Sequence, residues 1–132
     1  MEAQQEFFTA LRAALLSARP GMVYDTFLPA AGTPYPIIYL AGTDQMELDT
    51  KSAPTVGRIT QDVRIWHDDP RKRGTVSSLM ADVKAAARGI HYTAHYKFDV
   101  TVTESRLTSD TSVSPPLVYG IIGLTANYSL RR

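Results

Sequence analysis

Length and composition place this chain of 132 residues among ordinary folded domains, with 44% hydrophobic and 20% charged residues. A net charge of +1 argues against a protein that coats nucleic acid by bulk charge. The absence of cysteine excludes structural disulfides and thiolate chemistry, and no apolar run approaches the roughly 20 residues that span a bilayer, so we expect no membrane partner. The length suits one core, and we predict a single domain over residues 1–132.

The first elements in chain order are a helix and two strands. Residues 2–18 carry phenylalanine and leucine side chains on one stripe, which predicts a helix that packs on the core. A short strand is expected around Val23, and residues 37–42 are apolar on both faces, as in a strand that is covered on both sides. Residues 43–56 are polar and alternate only weakly before a break at Ser52-Ala53-Pro54, so we predict the end of a strand followed by an exposed, flexible loop, placed at about residues 43–56.

A strand followed by a helix forms the centre of the chain. In residues 57–67 every second side chain is apolar, with Gln61 as the polar exception, which predicts a strand with one buried face. After a charged turn, the period changes to that of a helix over residues 75–88. Thr75 is the expected N-cap, and Gly89 is expected to end the helix in a left-handed conformation. The strand and the helix can bury each other.

Two further strands end the chain. One runs to about Leu107, a flexible loop is expected over residues 108–116, and the last strand is LVYGIIGLTANYSL. We therefore predict an α+β fold: a mainly antiparallel sheet of about four to five strands, with two helices packed on one face. Because two helices cover only one face, Trp66, Tyr119 and Ile121 fall on the other face and are candidates for a subunit interface.

Two histidine-containing patterns are candidates for chemistry, and each has a simpler explanation. His91 and His95 have a spacing found in some zinc sites, but no third ligand is evident. A hydrolase could use His67 beside Asp68 and Asp69, yet these residues lie in a proline-containing turn that is followed by basic residues. Local turn geometry explains such a sequence.

A third pattern, Glu47-x-Asp49-x-Lys51 with Asp44 upstream, is reminiscent of metal-dependent nucleases. Two carboxylates could hold magnesium while the lysine stabilises phosphate charge. The pattern is short and common by chance, and neither a glycine-rich phosphate loop nor a GxSxG elbow is present. We expect no catalytic residue, no cofactor and no bound metal.

Several segments together resemble a known family. They are ALRAALL in the first helix, VYDTFLP, PYPIIYL, ITQDVRIWHDD followed by a helix, and the terminal LVYGIIGLTANYSL. Nearly the whole chain thus resembles the tail completion family of siphovirus-type bacteriophages, the tail terminator or head–tail joining proteins. VRIWHDD before a helix is the most specific of these segments.

The resemblance implies a structural virion protein without enzymatic turnover. Such proteins form a ring, usually a hexamer, that caps the finished tail tube, meets the head connector or stopper protein, and lets DNA pass through its lumen. The implied partners are copies of itself and the tail tube protein, and the implied place is the head–tail interface of a virion assembled in the host cytoplasm. Another connector adaptor or minor tail protein is the main alternative, ahead of a metal-dependent nuclease.

Within such a ring, the loop over residues 43–56 is the candidate for contacting the tube or lining the lumen. The residues proposed for this role are Asp44, Glu47, Asp49 and Lys51. The acidic members would repel DNA, which suits a conduit that must not retain its cargo.

Overall fold

Two helices and five strands form the fold in the computed structural model, which describes residues 2–25, 32–48, 55–112 and 116–131. The elements are α1 (Ala3–Ala18), β1 (Val23–Tyr24), β2 (Ile37–Glu47), β3 (Val56–His67), α2 (Arg73–Arg88), β4 (Tyr96–Asp110) and β5 (Leu117–Leu130). The predicted fold class is confirmed, and the strand count is five.

The strands form one sheet in the order β1-β2-β3-β5-β4. The β2–β3, β3–β5 and β5–β4 pairs are antiparallel, and the short β1 is parallel to β2. β3 and β5 are central, whereas β4 forms one edge of the sheet. The long strands β4 and β5 pair along nearly their whole length, with one bulge between Val102 and Glu104.

Both helices lie on the same face of this sheet. In α1, Phe7 packs its ring against Phe98 of β4, at a centroid distance of 5.3 Å. In α2, the Met80 side chain lies where a side chain at position 120 of β5 would project, so Gly120 leaves room for it. The buried apolar residues of the helices and of this sheet face form one core, as the two periodicities predict.

The predicted polar exception on β3 has a structural reason. Gln61 is fully buried and lies beside an irregularity in β2, where the register shifts between Leu40 and Thr43. Its amide nitrogen donates to the carbonyl oxygens of Ala41 (3.0 Å) and Asp62 (2.8 Å), and its amide oxygen accepts from the Thr43 hydroxyl. Gln61 therefore satisfies backbone groups that a bulge leaves without ladder partners.

The predicted loops are wrong in part. Residues 43–47 belong to β2 because, beyond the bulge, they pair with residues 57–61 of β3, and Val56 already belongs to β3. Residues 108–110 likewise belong to β4 and pair with residues 117–119 of β5. Backbone pairing with a central strand overrides the weak polar alternation of both segments. Residues 49–54 and 113–115 lie outside the described residues, and the loop predictions there stay predictions.

The predicted start of α2 is wrong, whereas its predicted end at Gly89 is confirmed in position but not in conformation. The helix begins at Arg73, and its N-cap is Lys72, whose side chain makes no cap hydrogen bond. Gly89 has a φ of −80°, which is right-handed. The helix ends instead by tightening, since the Ile90 N–H donates to the carbonyl of Ala87 (3.1 Å).

Candidate interaction surface

The sheet face away from the helices, called here the open face, brings the three predicted interface residues together. Trp66 of β3 pairs with Ile37 of β2 on one side and with Tyr119 of β5 on the other. Two positions along, Arg64 lies between Tyr39 and Ile121 in the same way. These side chains share a face because residues two apart on a strand point in the same direction. The five apolar members, called the open-face patch, are Ile37, Tyr39, Trp66, Tyr119 and Ile121.

The side chains of the open-face patch pack against one another, and two of them also remain partly exposed to solvent. The rings of Tyr39 and Trp66 stack at a centroid distance of 5.5 Å and an interplanar angle of 20°. Ile37 is 3% exposed, and Tyr39 and Ile121 are each 9% exposed, although neither of the described helices covers this face. Trp66 and Tyr119 are only half-buried. These two aromatic side chains are thus the members through which the patch can contact another molecule.

Two members of this patch, Ile37 and Tyr39, were not predicted as interface residues. Ile37 and Tyr39 occur in the IIYL segment, which was recognised as apolar on both faces but was not assigned to the interface. The signal that finds them is the register between β2 and β3, because Ile37 is paired with Trp66. Register depends on the bulge and the hairpin, which local patterning does not specify.

The acidic residues predicted to act together do not share one surface. Asp44 pairs with Thr60 and lies on the open face, whereas Glu47 pairs with Gly57, whose Cβ position faces the core residue Tyr128. Alternation along β2 therefore puts the two carboxylates on opposite faces. Asp49 and Lys51 lie outside the described residues. Among the described residues, no group of three or more His, Asp or Glu side chains is arranged to hold a metal ion.

The charged turn after β3 is held by local hydrogen bonds. The backbone N–H of Asp69 donates to His67 Nδ1 (3.2 Å), and that of Arg71 donates to Asp69 Oδ1 (3.0 Å). The second bond is the main reason that the pKa of Asp69 lies below its ordinary value. The groups that suggested a hydrolase thus serve as turn-forming acceptors, as the simpler interpretation predicts.

A buried carboxylate connects α1 to the segment before β4. Glu6 is 7% exposed, and its Oε1 accepts from the Thr93 hydroxyl (2.6 Å) and the His95 backbone N–H (3.1 Å). Its Oε2 lies 2.8 Å from His95 Nδ1. Burial alone would raise the pKa of Glu6, but these hydrogen bonds outweigh it and hold the pKa below its ordinary value. Glu6 therefore holds His95 in place. His91 is exposed and is not part of this cluster.

No protein-family model and no curated protein sequence matches this chain. Among solved structures, the fold matches a chain from a structure described as the virion of a native gene transfer agent (GTA) particle, with a TM-score of 0.56. The sequences are 15% identical, and the match covers 96% of this chain and 94% of that chain. At this identity the likeness shows the fold, and it extends over nearly all of both chains. Neither described helix is long and apolar enough to cross a membrane.

Proposed function

We propose that this chain is a structural subunit of a phage-like particle, and within it the subunit that terminates the tail tube and joins the tail to the head connector. The observation that carries the proposal is the near full-length fold likeness to a chain from a GTA virion. The sequence segments that resemble tail completion proteins narrow the role from virion subunit to tail terminator.

In this proposal the protein acts as a ring, of hexameric order as in the family it resembles. A closed ring requires a heterologous interface, in which each subunit presents two different surfaces. The tail tube protein would lie on one side of the ring and the head connector or stopper protein on the other, and DNA would pass through the lumen without being retained. The protein would have no catalytic residue, cofactor or metal.

The open-face patch is the surface proposed for contact with other subunits. Half-buried Trp66 and Tyr119 can lose their remaining solvent contact, which makes aromatic residues effective at interfaces. Asp44 and Glu47 are both exposed, so they are available for contact with a partner subunit, and any negative charge that stays unpaired on a lumen wall would repel the DNA backbone. Asp49 and Lys51 are retained in this proposal by their sequence position alone.

Loss of the protein provides the direct test. Particles from producing cells that lack it should include tails of irregular length and heads without tails, visible by negative-stain electron microscopy. In complemented cells, gold-labelled antibody should mark one position per particle, at the head–tail junction. Normal tails with unjoined heads would favour a connector adaptor, and label along the tail or at its tip would favour a minor tail protein.

A matched pair of variants tests the patch. Trp66→Ala removes a half-buried aromatic from the open face, whereas Tyr92→Ala removes an aromatic side chain that is 61% exposed and lies beside the start of β4, away from the open-face patch. We expect Trp66→Ala to lower the yield of joined particles by roughly tenfold or more, as for a central interface residue, and Tyr92→Ala to leave it unchanged. Equal yields for two variants that both fold, as judged by circular dichroism, would remove the patch from the interface.

A further inference from the structure

Among the described residues, both edges of the sheet have backbone without a strand partner, and the two edges lie on opposite sides of the subunit. β1 pairs only with Ile38 and Tyr39 of β2, so the outer side of residues 41–47 has no strand partner in the described part of the chain. On the other side, the segment before β4 covers its start, through the Tyr92–Lys97 bridge and the bond from the Phe98 N–H to the His91 carbonyl. Residues 100–110 of β4 lie beyond this cover. Unpaired strand edges are templates for further strands.

The directions of the two edges allow one copy to continue the sheet of another. Three successive antiparallel pairings connect β2 to β4 through β3 and β5. β4 therefore runs opposite to β2, and it would also run opposite to β2 of a neighbour placed in the same orientation. The joint is then an antiparallel ladder, and because its two sides differ it can repeat around a ring.

The charges around the two edges are complementary. Near the free edge of β2, Asp44 and Glu47 are exposed and have no ion-pair partner among the described residues. Because they lie on opposite faces of the strand, these two carboxylates supply negative charge on both faces of this edge.

The β4 edge carries both signs, since the acidic Glu104 and Asp110 flank the cationic Arg106 on this strand. Arg106 is exposed on the open face, and on the helix side Lys84 and Arg88 line a groove of about 400 Å³ between α2 and β4. None of these three cations forms an ion pair within the described residues. Ser105 and Leu107 form the β4 side of the groove. A neighbouring strand with carboxylates on both faces would thus meet a cation on each face.

We propose that β4 of one copy pairs with β2 of the next copy, with Arg106 directly opposite Asp44. The inference rests on the proposed ring and names the joint that closes it. Asp44 and Arg106 both lie on the open face of their own subunits. Matching faces require Asp44 to lie opposite an open-face residue of the free part of β4, which means Thr101, Glu104, Arg106, Thr108 or Asp110. Opposed like charges destabilise a strand pair and opposite charges stabilise it, which selects Arg106.

This register agrees with the other side chains along the joint. Gln45 then lies opposite Ser105 and Thr43 opposite Leu107, all on the helix side of the sheet. Glu47, on the same side, lies next to the groove that contains Lys84 and Arg88. The paired segments, residues 42–46 and 104–108, avoid both β1 and the segment that covers the start of β4.

The natural absence of cysteine permits a direct test by cross-linking. Disulfides require Cα atoms about 4.4–6.8 Å apart, a separation that opposed antiparallel residues have. Separately purified Asp44→Cys and Arg106→Cys proteins, mixed at high concentration and oxidised, should form a covalent heterodimer. Lys97→Cys replaces Arg106→Cys in the control, because Lys97 is exposed on the same strand and face but outside the proposed joint. We expect at least about tenfold more heterodimer than in this control.

The outcomes separate the joint from alternatives. Linkage within either single variant alone, at the level of the mixture, would indicate pairing of like edges and would overturn the proposal, as would a heterodimer yield no higher than the control. A double Asp44→Cys, Arg106→Cys chain should give a ladder that ends at a closed ring. As a second measurement, Asp44→Arg and Arg106→Asp should each weaken association by roughly tenfold or more and restore it when combined.

The joint and the proposed function fail in distinguishable ways. Wild-type oligomers seen by mass measurement without linkage between positions 44 and 106 would refute the joint and leave the ring. Specific linkage in a protein that antibody labelling places away from the head–tail junction would support the joint and refute the terminator role.

Discussion

Replacing Glu6 should destabilise the protein more than is usual for a glutamate in the first turn of a helix. Glu6→Leu keeps the side-chain volume but leaves the Thr93 hydroxyl and the His95 backbone N–H without their acceptor. Loss of a buried partner costs about 1–3 kcal/mol for each group, but the His95 ring is 65% exposed, so water can replace part of the loss. We expect a decrease of about 2 kcal/mol in the free energy of unfolding, or about 8 °C in melting temperature for a chain of this size.

Two further variants separate the carboxylate's role from general damage. Glu6→Gln keeps the oxygen that accepts from Thr93 and His95, and its amide can donate to His95 Nδ1, so it should lose less than about 1 kcal/mol. Gln5→Leu changes an exposed neighbour on the same helix and should be nearly neutral. Urea unfolding followed by circular dichroism measures all three. A Glu6→Leu protein within about 0.5 kcal/mol of wild type would refute the reasoning.

The same cluster predicts how stability depends on pH. Because the pKa of folded Glu6 lies below its unfolded value, its contribution is fully present above the unfolded pKa and is lost as the pH falls through the folded pKa. The difference in stability between wild type and Glu6→Gln should therefore shrink in acid. A difference that stays constant through the acidic range would show that the charge of Glu6 contributes nothing.

Three other tests probe the packing by urea unfolding. Gln61→Leu should lower the free energy of unfolding by about 1–3 kcal/mol although leucine is more hydrophobic than glutamine, because the carbonyl groups of Ala41 and Asp62 lose their donor. A neutral result would contradict the role of Gln61 at the bulge. Arg19 and Asp82, 2.6 Å apart and about one-third exposed, should couple by at most about 1 kcal/mol in a double-mutant cycle, and less in high salt; unchanged coupling in salt would argue against an ion pair. Gly57→Ala should lower the free energy of unfolding by about 1–3 kcal/mol, since the added methyl group would collide with the backbone of β2 and with the core residue Tyr128. Gly74→Ala is the control, because position 74 on α2 has open space, and it should be neutral or stabilising by up to about 1 kcal/mol.

The elements of this fold could be predicted where a periodic pattern coincided with burial. The alternating face of β3 and the stripe of α2 both lie in the core, at the positions their periods predict. The prediction failed over residues 43–47 and 108–110, where edge strands are polar on both sides. Pairing to a central strand holds those segments, and a pattern of side-chain hydrophobicity does not record backbone pairing.

The candidate interface was predictable only in part, for a related reason. Trp66, Tyr119 and Ile121 could be assigned to one face by alternation within their own strands. Ile37 could not, because its place beside Trp66 depends on a register that the β2 bulge helps to set. Asp44 and Glu47 were grouped by closeness in sequence, and strand geometry separates them.

The distribution of polar groups explains why the surface, rather than the interior, is the place to seek function. Among the described residues, Glu6 and Gln61 are the buried polar side chains, and each is used to hold backbone or neighbouring segments. No buried side-chain nitrogen or oxygen atom in the described part of the chain lacks a hydrogen-bond partner. Charges without an ion-pair partner among the described residues include Asp44 and Glu47 near the free edge of β2 and Arg106 on β4. A protein that acts by fitting against other molecules gains specificity from such opposed charges, and they lie at positions that only the strand order brings into relation.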